Sequence, residues 1–238
     1  MAGIGKIVEG INAVTGALNS GRVEKIIYLT GNIESVKLRN LLDLATIQKI
    51  TLEEISSKSK WSYHSRHSVV AICKPKAIFD ESDLSKFSNL NIIVLDHIQD
   101  TNNFGAIIRS ASAFDFNLVC IPKKRSVNIT ERTFSIASGG LESVNILYYN
   151  SIFSLIKKLK SNDYWTLGLD MKSDQEISKV NLDSQKVALF IGSEETGLSN
   201  EIKQKLDVIL FINMANQMES LNASVASAIA MHHFFKKT

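Results

Sequence analysis

From residue 91 onward, short apolar runs alternate with stretches whose apolar residues recur every three to four positions. The runs at 91–95, 118–121, 143–148, 164–169, 187–191 and 208–212 read as buried strands. The stretches at 106–114, 130–137, 152–159, 199–205 and 221–235 read as helices. Such alternation predicts an α/β fold whose mostly parallel sheet is covered on both faces. Upstream, the spacing of Ile7, Ile11, Val14 and Leu18 predicts a helix over 7–18 that stops at Gly21. A strand over 25–29, a helix over 33–45, a strand over 47–50, a short helix over 52–57 and a strand over 68–72 complete a small α/β unit. The polar stretch that follows, with Pro75 in it, suits a linker. The expected division is an N-terminal domain over 1–74, a linker over 75–89 and a larger domain over 90–238.

Polar and glycine-containing segments follow some of the strands of the larger domain. Asn102-Asn103-Phe-Gly105-Ala-Ile-Ile-Arg109 follows the run at 91–95, with Gly105 read as the start of a helix after a polar loop. Gly192-Ser-Glu194-Glu-Thr-Gly197 follows 187–191, and Ser220-Leu221-Asn222-Ala-Ser224 precedes a helix rich in small residues. In an open α/β sheet, ligands sit beyond the carboxyl ends of the strands, so these distant pieces are expected to form one site. Arg109 carries a fork of donors suited to phosphate. Taken one at a time, the first segment reads better as a surface arginine on an amphipathic helix, the second equally well as an ordinary strand-to-helix turn, and the third as a simple N-cap at Ser220 or Asn222.

Composition narrows the classes. The 238 residues are 45% hydrophobic, enough to bury a full core, and no apolar run approaches the ~20 residues that span a bilayer. The N-terminus shows no apolar signal region, so a cytoplasmic protein is expected. Cys73 and Cys120 lie in apolar runs without metal-ligand spacing and read as buried free thiols. Gly3, Gly5 and Gly10 lack the spacing and preceding strand of a dinucleotide-binding turn and read as a flexible N-terminus. With a formal charge of only +3, any nucleic-acid binding must rest on local clusters, Lys123-Lys124-Arg125 or Lys157-Lys158 with Lys160. Solvated surface charge explains either cluster equally well.

Order and context identify a resemblance. The string Asp96, Asp100, Asn102-Asn103, Gly105-Ala106, Arg109-Ser110-Ala111 and Ala113-Phe114 is followed by Ile191-Gly192-Ser193-Glu194 with Gly197-Leu198, then by Ser220-Leu221-Asn222 with Ser224 and Ala226. The set, over about residues 90–238, resembles the SpoU (TrmH-like) RNA 2′-O-methyltransferases of the SPOUT superfamily. Ala137-Ser138-Gly139-Gly140-Leu141-Glu142 is similar to a further segment of that family. Glu9 to Val14 and the region around His67 to Ala71 are similar to the L30e-like, RNA-substrate-binding domain carried by the branch that methylates a guanosine of 23S rRNA.

The resemblance implies a C-terminal trefoil knot, a homodimer with a shared active site, S-adenosylmethionine as cofactor and an RNA substrate, 23S rRNA or alternatively tRNA. It implies cofactor contacts at Gly192, Ile212, Met214 and Leu221, and a catalytic polar set of Asn103, Arg109, Glu194, Ser220 and Asn222, with no metal. A noncatalytic RNA-binding assembly factor is the alternative from another class. Two positions depart from the family pattern: Glu195 and Asp115 stand where glycine is common.

Overall fold

The computed structural model describes residues 3–30, 35–63, 67–87, 91–182, 185–193, 196–215 and 220–235. The chain runs through β1 (Ile7–Glu9), α1 (Ile11–Asn19), β2 (Val23–Leu29), α2 (Val36–Ile47), β3 (Thr51–Ile55), β4 (Val69–Cys73) and β5 (Phe79–Asp80). It continues through β6 (Ile92–Leu95), α3 (Thr101–Ala113), β7 (Leu118–Pro122), α4 (Glu131–Ala137), α5 (Gly140–Ser143), β8 (Asn145–Tyr149) and α6 (Ile152–Lys160). The last elements are β9 (Tyr164–Leu169), β10 (Lys186–Ile191), α7 (Asn200–Lys203), β11 (Val208–Leu210) and α8 (Ala223–Phe234). Two compact units result, one of residues 1–77 with 129–143, the other of residues 78–128 with 144–238.

In the first unit, β1 and β2 flank β4 antiparallel, and β3 pairs parallel with β2 at the edge. The expected single helix over 7–18 is broken at Gly10, whose φ of 91° suits glycine and few other residues. Gly10 N–H donates to Val69 O, so Ile7 belongs to a strand and the helix starts only at Ile11. The glycine-containing N-terminus is likewise tied down: Ile4 and Lys76 exchange backbone hydrogen bonds of 3.0 and 2.8 Å. Between 47 and 57 the expected order is reversed. Helix α2 runs to Ile47, Lys49 turns at a φ of 59°, and residues 51–55 pair with β2, because sheet pairing outweighs a short helical spacing.

Residues 129–143 supply α4 and α5 to this same unit. Arg22 Nε donates to Glu142 Oε2 at 2.8 Å, and Arg22 Nη1 donates to the carbonyls of Gly5 and Lys74. Both side chains are nearly buried, 11% and 4% exposed, so each charge relies on the other in place of water. Gly16 allows α1 to approach the backbone at Gly139, where a Cβ would lie 3.0 Å from the Gly139 Cα. The Ala137 to Glu142 segment therefore has a packing role within this unit.

The second unit is built on seven parallel strands in the order β11-β9-β10-β6-β7-β8-β5. Strands β6 and β7 are buried along their whole length, as continuous apolar runs covered on both faces require. The edge strand β5 is held by Glu81, which accepts from Asn150 N–H at 2.6 Å and pairs with Lys158 at 2.9 Å. Helices α3 and α8 pack together, and Phe114 meets the His232 ring edge-on at a centroid distance of 5.3 Å.

Candidate functional site

The parallel strands β9, β10 and β11 end at one edge of the sheet, where the segments that follow them surround a cavity of about 290 Å³. Of the positions that the resemblance implies for cofactor contacts, Gly192, Ile212, Met214 and Leu221 all lie in its wall, and Ser220 joins them. Gly192 is required there for space: a Cβ would lie 2.1 Å from the Gly197 carbonyl carbon. The turn it faces is closed by Gly197 N–H donating to Ser193 O at 3.0 Å, with Gly197 itself at a φ of 64°.

The segment after β9, Asp170 to Lys172, also lines the cavity and was not singled out from the sequence. Its signal was present in the apolar run at 164–169 followed at once by Asp170, but only the strand order reveals that β9 ends between β10 and β11. Burial alone would raise the Asp170 carboxyl, yet Lys203 at 2.5 Å and the Lys172 N–H outweigh it and hold the group below the usual carboxylate range.

Helix α3 begins at Thr101, four residues earlier than expected, because the Asp100 carboxylate accepts from Asn103 N–H at 2.8 Å and caps it. Asn102 and Asn103 are thus in the first turn of the helix, and Gly105 is buried inside it. Asn222 caps α8 through Ser224 N–H at 2.8 Å and donates from Nδ2 to Asn103 Oδ1 at 3.0 Å. Two of the distant polar segments are therefore joined by one hydrogen bond between helix N-termini. Arg109 is exposed on α3 and is not in the cavity wall. Six residues on one helix place it about 120° around the axis from Asn103. Glu194 and Glu195 lie outside the described residues. Asp115 takes a φ of 59°, the conformation for which glycine is common, and accepts from Asn117 Nδ2. Aspartate tolerates that region better than most residues.

No cluster of potential metal ligands occurs among the described residues, and no helix among them is long and apolar enough to cross a membrane. Cys73 and Cys120 are free and buried, and burial pushes the Cys73 thiol up to about 11 and Cys120 higher still.

A TrmH-family relative from Staphylococcus aureus (strain COL) is 28% identical over 97% of this chain and 96% of its own. The SpoU methyltransferase AviRb from Streptomyces viridochromogenes, crystallised in complex with the cofactor AdoMet, superposes with a TM-score of 0.76 at 21% identity, over 95% of this chain and 88% of AviRb. An RNA 2′-O ribose methyltransferase of known structure superposes with a TM-score of 0.73 at 19% identity, over 95% of this chain and 86% of that one. These likenesses establish a shared fold. Residues 90–232 match the SpoU rRNA Methylase family, and the chain belongs to that family.

Proposed function

We propose that the protein is an S-adenosylmethionine-dependent RNA ribose 2′-O-methyltransferase that modifies a guanosine of 23S rRNA. The observation that carries the reading is the cavity at the ends of β9, β10 and β11, with the Asn222–Asn103 hydrogen bond beside it. A cavity walled by backbone at Gly192 and by Ile212, Met214 and Leu221, and enclosing about 290 Å³, fits a compact ligand with an apolar body and polar ends. S-adenosylmethionine, when bound, supplies the electrophilic methyl group that a ribose 2′-oxygen accepts.

The residues of the chain then bind, orient and stabilise. Gly192 lets the backbone approach the ligand closely, and the apolar walls exclude water. Asn222 and Asn103 hold each other's amides and so fix the entry of α3 and α8. Arg109 grips the phosphate next to the target ribose and stabilises negative charge developing on the 2′-oxygen. Arginine resists deprotonation in proteins and is a poor base, so the hydroxyl proton leaves to water or a neighbouring group. Glu194 orients the Arg109 fork, and the Ser220 hydroxyl serves the cavity mouth.

Arg109 lies outside the cavity wall of its own chain, which supports a homodimer whose sites are completed by a second copy. Val225 and Ile229, one turn apart on α8 and 47% and 39% exposed, offer an apolar face for that contact. A C-terminal trefoil knot around the cavity and an L30e-like RNA-binding role for the N-terminal domain, with residues 1–74 and 90–238 as the working parts, belong to the same reading. The protein works in the cytoplasm, where its RNA substrate is found. The S. aureus relative is described as a tRNA/rRNA methyltransferase, which favours tRNA as the second reading.

The test is transfer of labelled methyl to separately purified, unmodified 23S rRNA and tRNA, with the modified nucleotide mapped by primer extension. Label at one guanosine of 23S rRNA supports the first reading and label on tRNA the second. Cofactor binding without transfer to either RNA, or to assembling ribosomal particles, overturns catalysis in favour of an assembly factor.

A further inference from the structure

The two basic clusters of the chain differ in what surrounds them. Lys158 pairs with Glu81 at 2.9 Å and Lys160 with Asp207 at 2.6 Å, so most of that cluster is neutralised by carboxylates. Lys123, Lys124 and Arg125 are exposed, and none of them forms an ion pair among the described residues. They occupy the turn after β7, which is pinned by Lys123 N–H donating to Tyr149 O at 2.9 Å and contains Arg125 at a φ of 57°. Three adjacent cations repel one another, a cost removed when an anion binds them.

The same turn borders a groove of about 460 Å³ that is also lined by His97, Asn150 and Phe153. Phe153 is 43% exposed although it lies in the first turn of a helix whose other face is buried. His97 takes a φ of 60° and places its Nδ1 2.7 Å from Asp96 Oδ1, so the carboxylate inside this groove is already engaged. His97 and Phe153 further line an adjoining cavity with Ser193, Thr196 and Gly197, and those three residues line the cavity at the ends of β9, β10 and β11. One continuous edge therefore runs from the proposed cofactor cavity to the three cations of the turn after β7. Clustered cations next to an exposed ring match a single-stranded polyanion with stackable faces, because phosphates answer the charge and bases cover the ring.

We propose that this groove docks the RNA strand flanking the target nucleotide, with Lys123, Lys124 and Arg125 on its phosphates and a base stacked on Phe153. The inference rests on the RNA methyltransferase reading and specifies where the catalytic unit holds its substrate.

The test measures binding of a transcribed 23S rRNA fragment across a salt series, alongside methyl transfer by the same preparations. The triple variant Lys123→Ala, Lys124→Ala, Arg125→Ala is expected to reduce the slope of log affinity against log salt by about 2. Lys160→Ala, drawn from the neutralised cluster, leaves the slope unchanged. Phe153→Ala weakens binding about 5- to 150-fold at every salt concentration, and Phe153→Tyr restores it. Wild-type protein that methylates RNA while the triple variant keeps the full slope overturns the docking site and leaves the function intact. Unchanged affinity in Phe153→Ala overturns the stacking. A wild-type protein that neither binds nor methylates RNA overturns the function and the docking site together.

Discussion

Replacing Gly192 with alanine adds one methyl group where the fold has no room for it. The new Cβ would lie 2.1 Å from the Gly197 carbonyl carbon, 2.3 Å from its oxygen and 2.3 Å from Leu198 N, whereas ordinary contact begins at 3.4 Å. All three neighbours are backbone, so no side chain can rotate away and the 193–197 turn must retreat by more than an ångström. Overpacking of this kind costs about 1–3 kcal/mol. Losing the Gly197 N–H to Ser193 O hydrogen bond costs about 0.5–1.5 kcal/mol more. The total, about 1.5–4.5 kcal/mol, corresponds to a fall in melting temperature of roughly 3–18 °C for a chain of this size. Because the displaced turn is a wall of the cavity, affinity for S-adenosylmethionine should fall at least about tenfold. Gly21→Ala is the matched control: nothing lies within 4 Å of its Cβ, so only its φ of 70° is strained, at about 1 kcal/mol, and cofactor affinity is untouched. Thermal melts followed by circular dichroism, with calorimetric titration of the cofactor, read both effects. A Gly192→Ala protein with wild-type melting and wild-type cofactor affinity would refute the reasoning.

Three further outcomes follow from other contacts. Arg22→Ala leaves Glu142 buried without its partner and should destabilise the first unit by about 3–5 kcal/mol in urea unfolding, with Arg22→Lys restoring only part because the forked contact is lost. Burial would raise Asp207 and Glu81, but Lys160 with Thr166, and Asn150 with Lys158 and Ser154, hold both carboxyls below their usual values. Their folded values are depressed, so the stability they contribute is present above about pH 4 and is lost as pH falls through the lower folded values. Asp207→Asn should flatten that acid limb in pH-dependent melts. Asn222→Ala should cost about 0.5–2 kcal/mol through loss of the α8 cap, whereas Asn222→Asp keeps the cap and removes only the donor to Asn103. Equal loss of methyl transfer in both variants, with a stability loss confined to alanine, is the expected pattern.

The strands of the large sheet were legible because continuous apolar runs such as 92–95 and 187–191 carry their burial in the sequence. The N-terminal elements were less so. Gly10 and Lys49 each redirect the chain through a positive φ, and spacing counts of neighbouring isoleucines and leucines do not register a backbone turn. The start of α3 was misplaced because Asp100, polar and outside the apolar pattern, is the residue that caps it. For the site, Gly192, Ile212, Met214 and Leu221 were implied by the family resemblance, and the structure gathers them around one cavity. Asp170 was missed because its place there depends on β9 lying between β10 and β11, a fact of strand order rather than of local pattern. The packing role of the 137–142 segment was hidden for the same reason, since Glu142 meets Arg22 across 120 positions of chain.

Mass spectrometry of the nucleosides released from RNA after incubation with the protein and S-adenosylmethionine tests the central claim most directly. The account predicts a nucleoside methylated on its ribose, absent without cofactor and lost in Arg109→Ala and in Arg109→Lys. A methyl group on a base, or ribose methylation at an undiminished rate in either Arg109 variant, would contradict it.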